Sequence, residues 1–104
     1  MRYLTVVADY TGSCIKDDFQ GQVECQELLS DETLCQEFEI WNSDYKRIIP
    51  LDMSERNQRR NEIDILDKQG MLLAKKLADT IDGGAKIKYY SEGLLKYLEQ
   101  PLCP

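Results

Sequence analysis

The chain has 104 residues, of which 42% are hydrophobic and 31% are charged. These proportions are ordinary for a globular protein, and the length predicts one domain, residues 1–104, with a core that needs no disulfides. The lack of a long apolar run excludes a transmembrane helix. Residues 1–3 lead directly into a strand-like segment instead of a signal peptide. We therefore expect a cytoplasmic protein without a membrane partner.

The net charge of −6 is distributed unevenly along the chain. Residues 17–45 contain nine carboxylates and no Lys or Arg, whereas the remainder contains 13 basic and 10 acidic residues. The nine are Asp17, Asp18, Glu24, Glu27, Asp31, Glu32, Glu37, Glu39 and Asp44. Apolar residues at helical spacing run through the same segment, so we interpret it as a folded acidic surface. Such a surface predicts a positively charged partner.

Four widely spaced cysteines, Cys14, Cys25, Cys35 and Cys103, form no Cys-x-x-Cys pair, and the chain has no His. This pattern lacks the usual ligand pairs of a zinc site. In a reducing cytosol, scattered cysteines are most often small apolar side chains. We therefore predict reduced thiols, with a disulfide framework as the alternative.

The N-terminal part begins with a predicted strand over residues 3–9, where β-branched residues are concentrated (YLTVVAD). Residues 10–13 have turn chemistry. For residues 14–22 we expect a loop that apolar side chains pin to the core. Residues 23–29 fit either a short strand or a helical turn.

A first helix is predicted from an N-cap at Ser30 to a stop at Pro50. Its apolar stripe has spacings of four, three, four and three residues. The stripe consists of Leu34, Phe38, Trp41, Tyr45 and Ile48. We interpret Trp41 and Tyr45 as core residues.

Residues 51–60 are polar and predict a loop or a frayed turn capped by Ser54. They include a basic group, Arg56, Arg59 and Arg60, which we interpret as a solvated face or a complement to nearby acidic residues. No aromatic residues interleave with these arginines and the chain is acidic, so we predict no nucleic-acid partner.

A second, longer helix is predicted over residues 61–81, with Asn61 as N-cap and Gly83-Gly84 as the stop. Its stripe consists of Ile63, Leu66, Gly70, Leu73, Ala74, Leu77 and Ile81. Glycine in mid-helix costs roughly 1 kcal/mol relative to alanine, so we expect Gly70 to mark a close approach to another element.

Residues 85–90 (AKIKYY) alternate between apolar and polar, which is typical of a half-exposed strand. Residues 94–98 then form either a hairpin return or a short terminal helix. The predicted fold is α+β with two layers, a small β-sheet covered by two main α-helices.

The sequence contains few residues in patterns typical of catalytic sites. Without His the commonest general base near neutral pH is missing. Cys14 or Ser13 could act as a nucleophile, but no triad pattern is present. The pair Asp17-Asp18 could hold Mg²⁺, although adjacent aspartates in a loop more often face water. We predict a protein that is not an enzyme and holds no metal or cofactor.

Several segments in order resemble a class of small bacterial proteins. They are LTVVADYTGSCIKDD, an acidic segment containing Val, a helix with the pair Trp41 and Tyr45, and DKQGMLLAKKLADTIDGGAKIKYY. This order resembles immunity proteins encoded beside polymorphic toxins, including contact-dependent growth inhibition and Rhs-type systems. The resemblance implies a cytoplasmic inhibitor of one toxin domain, often a nuclease, and it transfers no individual binding residue.

The leading hypothesis is therefore an immunity protein whose nine carboxylates supply contacts to the basic active cleft of a toxin domain. The alternatives are a non-catalytic adaptor or regulatory protein with a different basic partner, and a small enzyme that uses Cys14 or the aspartate pair.

Overall fold

The computed structural model describes residues 2–10, 14–28, 31–81 and 83–98. It has two layers: a five-stranded mixed sheet and two main helices that pack on one of its faces. This confirms the predicted fold class.

The strands are β1 (Arg2–Val6), β2 (Ile15–Asp17), β3 (Gly21–Val23), β4 (Ala85–Ser91) and β5 (Lys96–Leu98). The helices are α1 (Cys25–Leu28), α2 (Glu32–Tyr45), α3 (Met53–Gln58) and α4 (Arg60–Thr80). In the sheet the order is β3-β2-β1-β4-β5. The central pair β1 and β4 is parallel, and the other neighbours are antiparallel.

The N-terminal hairpin corrects our expectation of a loop over residues 14–22. Strands β2 and β3 lie there instead, joined by a turn at residues 18–20, and Gly21 at the start of β3 has a φ of +86°. Each strand has three residues, which is too short for alternation to be visible in the sequence. The ambiguous stretch 23–29 holds the end of β3 and the short helix α1.

Helix α2 is capped by Asp31, whose carboxylate accepts a hydrogen bond of 3.1 Å from the Leu34 amide. The predicted cap, Ser30, lies outside the described residues. The helix ends at Tyr45 and turn residues follow as far as Pro50, so the predicted C-terminal end was too late. The predicted stripe is nevertheless buried in full, including Ile48 in the turn.

The predicted loop over residues 51–60 contains helix α3. Its N-cap is Asp52, which forms a capping box with Glu55, so the prediction of Ser54 as cap was wrong. Asn61 is not a cap either, because α4 begins one residue earlier and lies directly after α3.

Helix α4 buries the predicted stripe against the sheet and α2. At Gly70 an added Cβ would lie 2.7 Å from Cζ2 of Trp41 and 2.7 Å from the hydroxyl oxygen of Tyr89. The prediction that Gly70 marks a close approach is therefore confirmed. Strand β4 alternates as predicted, and β5 returns as a hairpin, which resolves the alternative left open for residues 94–98.

The face of the sheet away from α2 and α4 carries the exposed ring of Tyr97 beside the half-buried ring of Tyr90. Tyr90 and Tyr97 pair across β4 and β5 with ring centroids 5.0 Å apart, and the Lys88 ammonium lies 5.6 Å from the Tyr97 ring centre. Within the described ranges no helix combines the length and apolar character needed to cross a bilayer.

Candidate interaction surface

The structure divides the nine carboxylates of residues 17–45 into those that the fold uses and those that it leaves exposed. Asp17 belongs to the first group. It is buried, and it accepts hydrogen bonds from the Phe19 amide at 2.8 Å, the Gln20 amide at 3.1 Å and the Arg2 guanidinium at 3.1 Å. These donors, led by the Phe19 amide, hold the pKa of the Asp17 carboxyl below its usual range. Asp17 therefore stabilises the turn between β2 and β3 and offers no surface to a partner.

Asp18 points away from Asp17 and is used on the open face of the sheet. Its carboxylate accepts from the Thr5 hydroxyl at 2.9 Å and lies 3.2 Å from the Lys88 ammonium. The two aspartates therefore do not converge on a common point. Among the residues that the structure describes, no group of three or more Cys, Asp or Glu side chains is arranged to hold a metal ion.

Three further carboxylates of the block are engaged within the chain. Asp31 caps α2, and Glu37 forms an ion pair of 3.1 Å with Lys76 of α4. Glu24 is exposed beside the start of α1 and also interacts within the chain.

The remaining four carboxylates define what we call the acidic face: Glu27, Glu32, Glu39 and Asp44. All four are exposed, and none forms an ion pair within the described part of the chain. Glu32 and Glu39 are seven residues apart on α2, and this spacing places them on one side of the helix. The acidic face thus follows α1 and the outer side of α2, with Glu39 toward β2 and β3 and Asp44 toward α4.

A disulfide joins Cys25 of α1 to Cys35 of α2, with a Cα–Cα distance of 5.6 Å. The prediction of reduced thiols is therefore wrong for this pair. Helix α1 has no fully buried residue, and of its side chains only those of Cys25 and Leu28 pack, partly buried, against the core. The disulfide compensates by attaching α1, and with it Glu27, to the helix that carries the rest of the acidic face.

Cys14 is a free, buried thiol, as predicted, whereas Cys103 lies outside the described residues. Burial raises the pKa of the Cys14 thiol to about 12. Because the thiolate is the nucleophilic form, a thiol with this pKa is a poor nucleophile at neutral pH. Cys14 therefore does not suit the enzyme alternative, and Ser13 lies outside the described residues.

The basic group of residues 56–60 is used within the fold. The Arg56 guanidinium is buried and donates to the carbonyl oxygens of Leu51 at 2.9 Å and Ile49 at 2.8 Å, and also to that of Glu92. It thereby ties the segment before α3 to the turn between β4 and β5. Arg59 pairs with Glu62 and Arg60 pairs with Asp64, both in α4. These two arginines therefore neutralise acidic residues of α4 and not those of residues 17–45.

A buried polar cluster that we did not predict lies where α2, α4 and β4 meet. Asp67 accepts hydrogen bonds from the hydroxyls of Tyr45 at 2.8 Å, Tyr89 at 2.7 Å and Ser91 at 2.7 Å. Burial, together with the adjacent Asp67 carboxylate, raises the pKa values of both tyrosines, which stay protonated donors. The sequence signal was a lone carboxylate inside an apolar helical stripe, because such a residue requires buried partners.

The sequence and the structure together define a two-layer α+β domain with an acidic helical face. A search with the sequence matches no protein-family model and no curated protein. The resemblance to immunity proteins consequently stays a prediction.

Proposed function

We propose that the protein is an immunity protein that binds a basic toxin domain through its acidic face and blocks the toxin's active cleft. The observation that supports this most is the set of four exposed carboxylates that no Lys or Arg of the described chain neutralises. A surface of this kind leaves its charge available to another molecule.

A nuclease cleft suits this surface chemically. Such clefts use Lys and Arg to hold phosphate groups, and carboxylates can accept hydrogen bonds from the same side chains. An inhibitor that presents several carboxylates on one helix competes with the nucleic acid for those cations. Opposite charges also accelerate association by steering the encounter.

The proposed contacts are fewer than those in the sequence prediction. They are drawn from Glu27, Glu32, Glu39 and Asp44, with Glu24 and Glu37 at the margin. Asp17, Asp18 and Asp31 have structural roles and are left out.

We also propose that the protein acts in the cytoplasm, where a nuclease toxin would reach its substrate. The Cys25–Cys35 disulfide is the observation that weighs against this location, because cytosolic reductants keep most thiols reduced. Rapid alkylation in cell lysate followed by mass spectrometry measures the fraction of the pair that is oxidised. A fully oxidised pair would argue for an oxidising compartment.

The test takes any toxin domain that the neighbouring gene encodes, produced as a catalytically inactive variant for binding and as the active form for protection. Co-expression with the wild-type chain should rescue cells from the active domain. In stopped-flow experiments at low salt, the double variant Glu32→Lys/Glu39→Lys should associate about tenfold more slowly, with a weaker salt dependence.

Two single variants provide a matched comparison. Glu39→Lys and Asp79→Lys change the net charge equally, but exposed Asp79 lies on α4, outside the acidic face. Only Glu39→Lys should slow association markedly. Equal effects of the two would show that overall charge, and not this face, is responsible. Tight binding to a basic protein without any protection from a toxin would instead favour the adaptor alternative.

A further inference from the structure

A groove of about 300 Å³ runs between α2 and α4 on the outer side of the helical layer. Ile40 of α2 and Leu72 of α4 line it, and they are 63% and 62% exposed. The buried side chains of Trp41 and Leu73 also line the groove. The other four lining residues are polar: Glu37, Asp44, Gln69 and Lys76.

The Trp41 indole at the base of the groove has no free hydrogen-bonding group for an occupant. Its Nε1–H group donates to the carbonyl oxygen of Leu66 at 2.8 Å, inside the protein. The hydrogen-bonding capacity of the ring is thus already used, because indole has one donor and no acceptor. Because Trp41 is buried, a group that enters the groove meets chiefly the exposed side chains of Ile40 and Leu72.

Charged groups at the groove are unequally balanced. Glu37 and Lys76 neutralise one another across the groove at 3.1 Å. Asp44 also lines the groove, and it is exposed without an ion pair in the part of the chain that the structure describes. An apolar group with a positive charge beside it would complement both the apolar lining residues and the Asp44 carboxylate.

This charge pattern selects among possible occupants. A second copy of the chain would bring its own acidic α2 and a net charge of −6 toward the same surface. A basic protein would bring cations to Asp44 and, further along α2, to Glu39. Charge complementarity therefore favours a basic partner over self-association.

We infer that the groove receives a large apolar or aromatic side chain of the basic partner, while a neighbouring Lys or Arg of that partner binds Asp44. This inference rests on the proposed function and identifies the centre of its interface. Protein interfaces typically have an apolar centre surrounded by polar residues, and a few buried anchors contribute most of the affinity. Ile40 and Leu72 would form that centre, with the buried ring of Trp41 beneath them, and the acidic face would form its margin.

The first experiment measures the affinity of the inactive toxin domain for groove variants by calorimetry. Ile40→Ser and Leu72→Ser should each weaken binding at least tenfold. Ile65→Ser is the matched control, because Ile65 is 59% exposed on the outer side of α4 but does not line the groove. It should change the affinity less than twofold.

The second experiment tests the groove without any toxin. Tryptamine, an indole with an ammonium group, is titrated into isotopically labelled protein and followed by NMR. The Ile40 and Leu72 methyl signals and the Trp41 ring signals should shift, whereas the Ile65 methyl signals should not. Asp44→Asn should weaken these shifts severalfold, and the anionic analogue indole-3-acetate should produce none.

The outcomes separate the two proposals. If the toxin domain binds but Ile40→Ser and Leu72→Ser bind as tightly as Ile65→Ser, the groove inference is wrong and the proposed function stands. If no toxin domain binds but tryptamine shifts the groove signals, the proposed function fails and the preference of the groove for a cationic apolar group is supported. An absence of tryptamine shifts overturns the inference. So does a dimer in sedimentation equilibrium that Leu72→Ser dissociates, since the groove would then be a contact between copies of the chain.

Discussion

The inner and outer sides of helices α2 and α4 differ in burial and in hydrogen bonding, although their residues alternate along the same two segments of the chain. On the inner side, Tyr45 and Asp67 are buried and hydrogen-bonded to one another. On the outer side, Asp44 is exposed and forms no ion pair within the described residues. Leu72, also on this side, is largely exposed as well. The inner side therefore determines the fold, and the outer side is available for binding.

Helices α4 and α1 also differ in how they are held to the rest of the domain. Helix α4 is held by packing against α2 and the sheet, whereas α1 has no buried residue and is attached to α2 through the disulfide. We expect substitutions at the inner side to change the free energy of unfolding strongly. Changes at the outer side should alter binding and leave stability nearly unaffected.

The largest effect is expected for Asp67→Ala. This change leaves three buried hydroxyls, from Tyr45, Tyr89 and Ser91, without their acceptor. The free energy of unfolding should fall by about 3–5 kcal/mol, measured by urea denaturation. Asp64→Ala on the same helix is the control and should cost less than about 0.5 kcal/mol, because it removes one partly exposed ion pair with Arg60. Similar losses for both variants would contradict the importance of the cluster.

Reduction of the Cys25–Cys35 disulfide should have the next largest effect. The bond closes a short loop, with a sequence separation of 10, and its loss should lower the free energy of unfolding by about 2–3 kcal/mol. The measurement compares denaturation curves with and without a reductant. Cys25→Ser serves as the control, since the reductant should no longer shift its curve. An equal shift in wild type and variant would mean that the reductant acts elsewhere.

Gly70→Ala tests whether the inner side of α4 has room for an added methyl group. A methyl group would collide with the rings of Trp41 and Tyr89. We expect a loss of about 1–2 kcal/mol, even though alanine is the better helix former. A gain of about 1 kcal/mol, the typical result at an open helical position, would show that the contact is not tight.

The smallest effect on stability is expected for Ile40→Ser. Its side chain is largely exposed, so the free energy of unfolding should change by less than about 0.5 kcal/mol. The same variant should weaken partner binding at least tenfold. A loss of stability as large as that of Gly70→Ala would place Ile40 in the core and remove the distinction between the two sides.

The elements that the sequence predicted well are those with many repeats of a period. Helices α2 and α4 contain several turns each, and their apolar stripes identified four of the six buried positions in α2 and six of the seven in α4. The close approach at Gly70 was predictable because glycine in such a stripe has a cost that requires a reason. Strand β4 alternates over seven residues and was also predicted correctly.

The elements that were missed are short or depend on distant residues. Strands β2 and β3 have three residues each and become strands because β1 pairs with β2 and β2 pairs with β3. The caps of α2 and α3 were misplaced by one and two residues because Asp and Ser candidates lie close together at each helix start. The predicted cap of α4, Asn61, lies inside the helix. Boundary residues compete locally, and hydrogen-bond geometry decides between them.

The candidate site was predictable as a segment but not as a set of residues. The sequence alone determined that carboxylates are concentrated between residues 17 and 45, because composition needs no coordinates. Tertiary structure decided that Asp17 is buried beside Arg2 and that Glu37 pairs with Lys76. It also placed Asp44 beside the groove, where no Lys or Arg among the described residues pairs with it. It also brought Cys25 to Cys35 and three hydroxyls to Asp67. The physical reason is that periodicity reports which way a side chain faces, whereas a partner from another element is set by how the helices and the sheet pack.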